Sequence, residues 1–256
     1  MNIKNYTNRI NYSGDLTPNL IVLQQLQQAH LLNIPFENLD IHYGNQIDLE
    51  LDKIYTKVIE KGRGGFCYEL NGLFCSFLQK VGFDAKIIAA NIFNNEKKEF
   101  GKDFDHLTIV VSLNNADYLV DVGFGEFTFL PLKIGLNTVQ SDPRGDFKLE
   151  WVDSHYQVVK IVEKTEIVQY IFTPQQKNLL KFAEMCQYHQ SNSNSHFTQQ
   201  KLISRPIDNG RITIAGNTLK ITDKGAIKQE IKFDKSEFGT YLLEWFNIDE
   251  ASIKDA

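Results

Sequence analysis

The chain has 256 residues, of which 42% are hydrophobic and 23% are charged, as is typical of a globular protein with a sizeable core. The net charge of −5 and the absence of a Lys/Arg cluster interleaved with aromatic residues argue against a nucleic-acid partner. Three irregularly spaced cysteines do not form a disulfide framework, and no apolar run matches a signal peptide or a membrane span. We therefore expect a cytoplasmic protein with no membrane partner.

Helical spacing of apolar residues dominates the first third of the chain. Thr17 is predicted to cap a first helix that has Pro18 in its first position. A second helix is predicted from about Leu51 to Gly62. A third begins near Cys67 and ends at Gly82, and its apolar stripe consists of Leu70, Phe74, Phe77, Leu78 and Val81.

The period of the apolar residues changes to two after Asp84, which is typical of strands. Strands are predicted at residues 85–93, 106–113, 118–122, 147–152, 156–162 and 166–172. They predict an antiparallel sheet or barrel.

The remainder of the chain has a mixed pattern. A helix is predicted after Thr173-Pro174 and through Phe182, followed by a polar connecting loop at 191–195. Two short strands, at 211–215 and 218–222, precede a closing helix around Trp245. The chain is thus predicted to be α+β, with a helical bundle at 1–83, a β-barrel at 84–190 and an α/β lid at 191–256.

Cys67 is the strongest candidate for a nucleophile. It lies at the start of the third helix, directly after Gly64-Gly65-Phe66, where free N–H groups and the positive end of the helix dipole favour a thiolate. The alternative is a small buried core residue, which is how we interpret Cys75 and Cys186. A cysteine nucleophile usually requires a histidine base and a group that orients the histidine.

His106 and Asp121 are predicted to supply these two groups. Asn114-Asn115 favours a two-residue type I′ turn, which pairs Leu113 with Ala116 and places Asp121 opposite Thr108. His106 is then on the same face as Asp121, on a diagonal that long side chains can span. A purely structural hydrogen bond between them is the alternative, and a register shift of one residue would separate them.

The residues quoted above, with one upstream motif, resemble those of the arylamine N-acetyltransferases. The similar segments are Pro35-Phe36-Glu37-Asn38, the run from Arg63 to Asn71, the strand that begins at His106, and the run from Val120 to Gly125. They occur in the family's order over essentially the whole chain, although the C-terminal third is similar only loosely, chiefly around Phe197.

The resemblance implies a three-part fold with a cysteine-protease-like core and a triad of Cys67, His106 and Asp121. It also implies acetyl-coenzyme A as acyl donor, a thioester on the cysteine, ping-pong transfer to an aromatic amine or hydrazine, and a role in xenobiotic metabolism. Phe36, Phe124 and Phe93 would line the acceptor pocket, although Phe93 could equally be a core residue. Arg63 and Glu37 would pair to brace the helix that carries the cysteine.

Several alternatives remain open at this stage. The same triad could serve a cysteine hydrolase, an amide synthase or a catalytically silent binding homologue. Lys102-Asp103-Phe104-Asp105 precedes the histidine, and its two acidic residues could repel the phosphates of coenzyme A. Cys186, His189 and His196 provide three candidate zinc ligands but no second Cys-x-x-Cys, so we expect no metal. The oligomeric state and the preferred amine cannot be predicted.

Overall fold

A computed structural model of the protein describes residues 1–254. Its helices are α1 (Ile3–Arg9), α2 (Leu20–Asn33), α3 (Leu39–Tyr43), α4 (Leu51–Tyr55), α5 (Cys67–Lys80), α6 (Ala183–Ser191), α7 (Phe238–Phe246) and α8 (Ala251–Lys254). A π-helical turn at Thr56–Glu60 continues α4, and short 3-10 segments cover Leu179–Phe182, His196–Thr198 and Lys235–Glu237. No helix within these residues combines the length and apolar character needed to cross a membrane.

The strands are β1 (Phe36–Glu37), β2 (Asp84–Asn94), β3 (Glu99–Phe100), β4 (His106–Leu113), β5 (Ala116–Val120), β6 (Leu132–Lys133), β7 (Gln140–Asp142), β8 (Gly145–Val152), β9 (His155–Val162), β10 (Thr165–Gln176), β11 (Leu202–Ile207), β12 (Gly210–Ala215), β13 (Thr218–Asp223) and β14 (Ala226–Lys232). They form two sheets, and the predicted α+β class with a helical N-terminal region, an antiparallel barrel and a mixed C-terminal region is confirmed.

The N-terminal helices differ from the prediction in their number, since α1 and α3 were not predicted, and in the cap of α2. Helix α1 was not predicted, because its sequence is mostly polar; its buried residues are Thr7 and Tyr6, and the Tyr6 ring stacks on Phe77 at 4.0 Å between ring centroids. The predicted cap of the next helix, Thr17, was wrong. Asn19 caps α2 instead, since its backbone is extended and its Oδ1 accepts a hydrogen bond from the Val22 N–H at 3.0 Å. The sequence Thr17-Pro18 precedes the helix.

Helix α5 has the predicted limits and is the central element of the N-terminal region. It begins at Cys67 and ends before Gly82, which has a φ of 98° that favours glycine. Glu69 reaches back so that its Oε2 accepts from the Phe66 N–H at 3.0 Å, which satisfies one free donor before the helix starts. The helix packs against β2 and β4.

The larger sheet has the strand order β6-β5-β4-β2-β10-β9-β8-β7, with β3 paired to β2. Every pair in it is antiparallel. Side-chain hydrogen bonds from Gln140 to the backbone of Lys133 connect β7 to β6, at 2.8 and 2.9 Å, so the sheet curves into a nearly closed barrel. Strand β4 is buried on both faces: Ile109 packs towards the helices and Val110 towards the barrel interior.

The turn that joins β4 to β5 has the predicted geometry. Asn114 and Asn115 have φ values of 49° and 61°, as a type I′ turn requires, and Leu113 pairs with Ala116. The last backbone pair before the site is Ile109 with Val120. Even-numbered residues of β4 therefore point into the barrel interior, and the register is the one deduced from the sequence.

The second sheet has the order β1-β11-β12-β13-β14 and is larger than the two strands predicted for this region. Helix α7 and the buried residues Ile203, Ile212 and Ile214 form its core. The helix predicted after Thr173-Pro174 and through Phe182 was wrong in its first part, because β10 continues to Gln176 through an irregularity in its pairing. The helical segment starts only at Leu179 and continues as α6.

Candidate active site

Cys67 occupies the first position of α5, 4% exposed, at the junction of the helices and the barrel. Gly123 lies against it from the loop after β5. A Cβ atom on Gly123 would come within 2.7 Å of the Cys67 Cα and 2.8 Å of the Asn71 Nδ2, so only glycine allows this approach. The N–H groups of Cys67 and Tyr68 lie in the first helical turn, where no intrahelical acceptor exists.

His106 begins β4 and is 1% exposed. Its Nε2 lies 2.7 Å from the Asp121 Oδ2, so the hairpin register does bring the two side chains together. This contact uses one ring nitrogen, and the other, Nδ1, remains for Cys67, with which the imidazole interacts. Burial alone would lower the pKa of His106, but the Asp121 carboxylate outweighs it and, with Cys67, raises the pKa to about 10.

Asp121 is fully buried and accepts hydrogen bonds at both carboxylate oxygens. Its Oδ1 accepts from the Asn71 Nδ2 at 2.8 Å and from the N–H groups of Gly123 and Phe124 at 2.9 and 3.0 Å. Its Oδ2, which faces the histidine, also accepts from the Tyr170 hydroxyl at 3.1 Å. Burial would raise the pKa of Asp121, but the charge of His106 and these donors lower it below its usual value.

Tyr170 is the member of this cluster that was not predicted from the sequence. It lies on β10, which pairs with β2 rather than with β4 or β5, so no hairpin links it to Asp121. Asn71 belongs to the motif around Cys67, but its role as a donor to Asp121 also depends on packing of α5 against the barrel. The Asn71 Oδ1 in turn accepts from the Val122 N–H at 2.8 Å.

A cavity of about 330 Å³ opens beside Cys67 and His106, within the usual size range of small-molecule sites. Phe36 and Phe124 line it, as does Phe197. The structure places Phe93 outside this cavity. Because strand side chains alternate, Phe93 turns away to pack on Phe100, at 4.9 Å between ring centroids, and its neighbour Ile92 lines the cavity instead.

The predicted pair of Arg63 and Glu37 is part of a larger buried cluster. The Arg63 Nη2 donates to the Glu37 Oε1 at 2.7 Å and to the Asp40 Oδ1 at 2.8 Å. Lys57 joins it, with its Nζ 2.6 Å from the Asp40 Oδ2 and 2.8 Å from the Glu69 Oε1. Burial opposes the charge on Asp40, but the two cations outweigh it and lower its pKa to about 2.

The candidate zinc ligands make other contacts. The Cys186 Sγ accepts from the Gln190 Nε2 at 3.2 Å, and the His189 Nδ1 lies 3.0 Å from the Ser195 Oγ. His196 packs against the Phe197 ring at the cavity wall. Within residues 1–254, no three His, Cys, Asp or Glu side chains converge on a point that could hold a metal ion.

The acidic segment before His106 also has defined contacts. Asp105 lines the cavity, and its Oδ1 lies 3.3 Å from the His189 Nε2. The backbone carbonyls of Phe104 and Asp105 both accept from the Tyr68 hydroxyl, at 2.8 and 3.2 Å. This segment is therefore fixed to α5 immediately after the cysteine.

Comparison with known proteins places these features in a family. A family model of N-acetyltransferases matches residues 19–254. The liver arylamine N-acetyltransferase of Gallus gallus is 28% identical over 97% of this chain and 96% of its own length. Proansamycin X synthase of Amycolatopsis mediterranei is also 28% identical, over 92% of this chain and 93% of its own length.

Solved structures agree with this result. The arylamine N-acetyltransferase of M. tuberculosis superposes with a TM-score of 0.91 and 28% identity, over 98% of this chain and 96% of that one. The match includes the helical region, the barrel and the C-terminal sheet, because it spans nearly the entire length of both proteins. The chain therefore belongs to the arylamine N-acetyltransferase family and is an acyltransferase.

Proposed function

We propose that this protein transfers the acetyl group of acetyl-coenzyme A to an aromatic amine or hydrazine, through an acetyl thioester on Cys67. The observation that carries the proposal is the arrangement of Cys67 at a cavity next to His106, whose far ring nitrogen contacts Asp121 at 2.7 Å. This is the geometry of an activated cysteine nucleophile with an oriented base. The catalytic assignment also rests on the family to which the chain belongs.

In the first half-reaction, Cys67 and His106 act as a thiolate–imidazolium pair. The thiolate attacks the thioester carbonyl, and the negative charge that develops on the oxygen is met by N–H groups of the first turn of α5. The carbon–sulfur bond to coenzyme A then breaks. Coenzyme A leaves as a thiol, with a proton from the imidazolium, and the sulfur of Cys67 holds the acetyl group.

In the second half-reaction, the amine attacks the acetyl group on Cys67. His106, now neutral, accepts the proton that the nitrogen loses as the new amide bond forms. The bond from the acetyl carbon to the Cys67 sulfur breaks and the thiolate–imidazolium pair is restored. Asp121 keeps its negative charge throughout and favours the protonated form of His106 in both halves.

The acceptor is expected to be aromatic because aromatic side chains form the walls of the cavity near Cys67. Phe36 approaches from β1 and Phe124 from the loop after Asp121, and the Phe124 ring lies 5.5 Å from the His106 ring. An aromatic amine between them would replace water next to the thioester, which favours transfer over hydrolysis.

Mass spectrometry of the protein mixed with acetyl-coenzyme A alone tests this proposal. We expect one added acetyl group, located on Cys67 and lost in Cys67→Ala. Cys75→Ala is the matched control, since Cys75 lies on the same helix, is buried and has a pKa raised by burial to about 12. This variant should still acquire the acetyl group, because its altered cysteine is not the nucleophile.

The other outcomes separate the alternatives. Aniline added to the acetylated protein should remove the acetyl group and yield acetanilide, with the cysteine returned to its free form. Rapid release of acetate without amine would indicate a hydrolase instead. Absence of an adduct over the full range of pH at which the protein stays folded would contradict the catalytic assignment.

A further inference from the structure

Strand β14 is the outer strand of the C-terminal sheet. It pairs with β13 on one side, and no strand within residues 1–254 pairs with its other side. Six of its seven residues are exposed, and one of them is a large apolar residue, Ile227, which is 56% exposed. An open strand edge presents unpaired N–H and C=O groups, to which a strand of another chain can bind.

The middle of this edge has backbone groups that β13 does not use. The Phe233 N–H donates to the Asn217 carbonyl at 3.0 Å, so this residue points towards β13. The direction of the backbone groups alternates along a strand, so those of Glu230 point outward. The pairing of the two strands skips Lys228, which is therefore the extra residue of a bulge and has no partner on β13. The two residues that flank Gln229 thus have backbone groups free for a further strand.

The sequence of β14 is self-complementary when two copies pair in antiparallel fashion. A two-fold axis at Gln229 places residues at equal distances from it opposite each other. Lys228 then faces Glu230 of the second copy, and Ile227 faces Ile231 of the second copy. Each of these pairs occurs twice, because the axis repeats it. Opposite charges and apolar side chains directly across from each other stabilise paired strands.

Other symmetric registers are less favourable. An axis at Lys228 or at Glu230 would put two like charges directly opposite each other, which is destabilising. An axis at Ile231 would pair Glu230 with Lys232, but it lies near the end of the strand and shortens the overlap. The axis at Gln229 uses the entire strand.

The charged side chains of β14 are able to contact a second copy. The Lys228 Nζ lies 3.3 Å from the Asp223 Oδ2, and the Glu230 Oε2 lies 3.5 Å from the Lys220 Nζ. Both pairs are exposed, and exposed pairs contribute little to stability, so their loss costs little. Bulges and edge lysines usually discourage pairing between sheets. A lysine repels a second strand only where it meets no acid, and the two-fold axis supplies one.

We propose that two copies of this chain associate through β14, antiparallel about Gln229, so that their five-stranded sheets join into one continuous sheet. The inference goes beyond the proposed function and does not depend on it, since β14 does not line the cavity beside Cys67. Because each copy contributes a single strand, the interface is small, and we expect a weak dimer that forms with rising protein concentration.

Reversal of charges across the axis tests the proposal. Lys228→Glu puts an acid opposite Glu230, and Glu230→Lys puts a lysine opposite Lys228. Each variant should raise the dissociation constant of the dimer about tenfold or more, measured by sedimentation equilibrium between about 10 µM and 1 mM protein. An equimolar mixture of the two variants should form a heterodimer about as tight as the wild-type dimer, because every facing charge pair is again opposite in sign. The double variant should likewise dimerise as the wild type does.

Lys232→Glu is the matched control, because it reverses a charge on the same strand at a position that faces Ala226 in this register. It should leave the dissociation constant within about threefold of the wild-type value. A wild-type protein that is monomeric throughout the concentration range would overturn the proposal. A dimer that neither single reversal weakens, or a mixture of the two variants that stays monomeric, would also overturn it. A greater loss in Lys232→Glu than in Lys228→Glu would contradict the register and move the axis to Ile231.

Discussion

Helix α5 contributes residues to two buried polar clusters, one on each side of the helix, and different interactions hold the two clusters together. Glu69 belongs to the cluster of Arg63, Lys57, Glu37 and Asp40, which we call the ion cluster. Asn71 belongs to the cluster around Asp121 and His106. Residues two apart on a helix point in nearly opposite directions, so one turn of α5 contacts both.

The two clusters differ in the groups that contact their charged side chains. In the ion cluster, fixed charges pair with one another: the pKa values of Lys57 and Arg63 are raised by their acidic neighbours against the effect of burial, and that of Asp40 is lowered. Around Asp121, most donors are neutral, and His106 lies between Asp121 and Cys67. The ion cluster stabilises the fold, whereas the cluster around Asp121 leaves the proton of His106 free to be transferred. Mutations should therefore affect stability in one and activity in the other.

Asp121→Asn should produce the largest effect on activity. The amide cannot supply the negative charge that keeps His106 protonated, and in an enzyme with a comparable triad such a change costs about 10⁴-fold. We expect kcat/KM to fall by about 10³- to 10⁴-fold. Asp105→Asn is the matched control: it removes a carboxylate next to His106 in sequence and on the same cavity wall, yet should change kcat/KM by about threefold or less.

The pH dependence sharpens this prediction. In the wild type the pKa of His106 is raised to about 10, so the imidazolium persists above the ordinary histidine value of 6.5. The rate of coenzyme A release without acceptor should therefore not fall between pH 6.5 and 9. In Asp121→Asn, only Cys67 still opposes the effect of burial, so the pKa of His106 falls and the rate should depend on pH across this range. Parallel profiles for the two proteins would contradict this account.

Arg63→Ala, in the ion cluster, should lower stability and leave the binding of the acceptor nearly unchanged. It leaves Glu37 buried with one cation fewer, and loss of one partner from a buried ion pair typically costs about 3–5 kcal/mol. We expect that loss in the free energy of urea unfolding and little change in the KM for the acceptor. Lys53→Ala removes the ion pairs of a 58% exposed lysine with Asp48 and Glu50, and it should cost about 1 kcal/mol or less. Unchanged thermal unfolding of Arg63→Ala would refute the prediction.

Local sequence signals account for much of the fold and part of the site. The Asn114-Asn115 turn fixed the register by itself, since asparagine tolerates positive φ, and this placed His106 within reach of Asp121. The limits of α5 followed from the glycines that flank it. Both signals operate within about fifteen residues of the chain.

Features that depend on distant contacts could not be deduced. Tyr170 reaches Asp121 only because β10 lies beside β2, and strand order is not encoded locally. Phe93 was assigned to the pocket by similarity, but the one-residue alternation of β2 places Ile92 there. The cavity wall that Phe36 and Arg211 both line likewise requires β1 and β12 to lie on either side of β11, across more than 160 residues of chain.

Tyr170→Phe should have the smallest effect and tests whether the donors to Asp121 act on catalysis or only on folding. The change removes one hydroxyl bond, 3.1 Å long, from the oxygen that faces His106, and the ring remains. A net value of about 1 kcal/mol for such a bond corresponds to a loss of about five- to tenfold in the rate of acetyl transfer. Tyr156→Phe on the adjacent strand, whose ring stacks on Phe172, is the control and should leave the rate unchanged. If instead Tyr170→Phe lowers only the unfolding temperature, Tyr170 belongs with the ion cluster as a stabilising residue, and the contrast between the two sides of α5 is weaker than the geometry indicates.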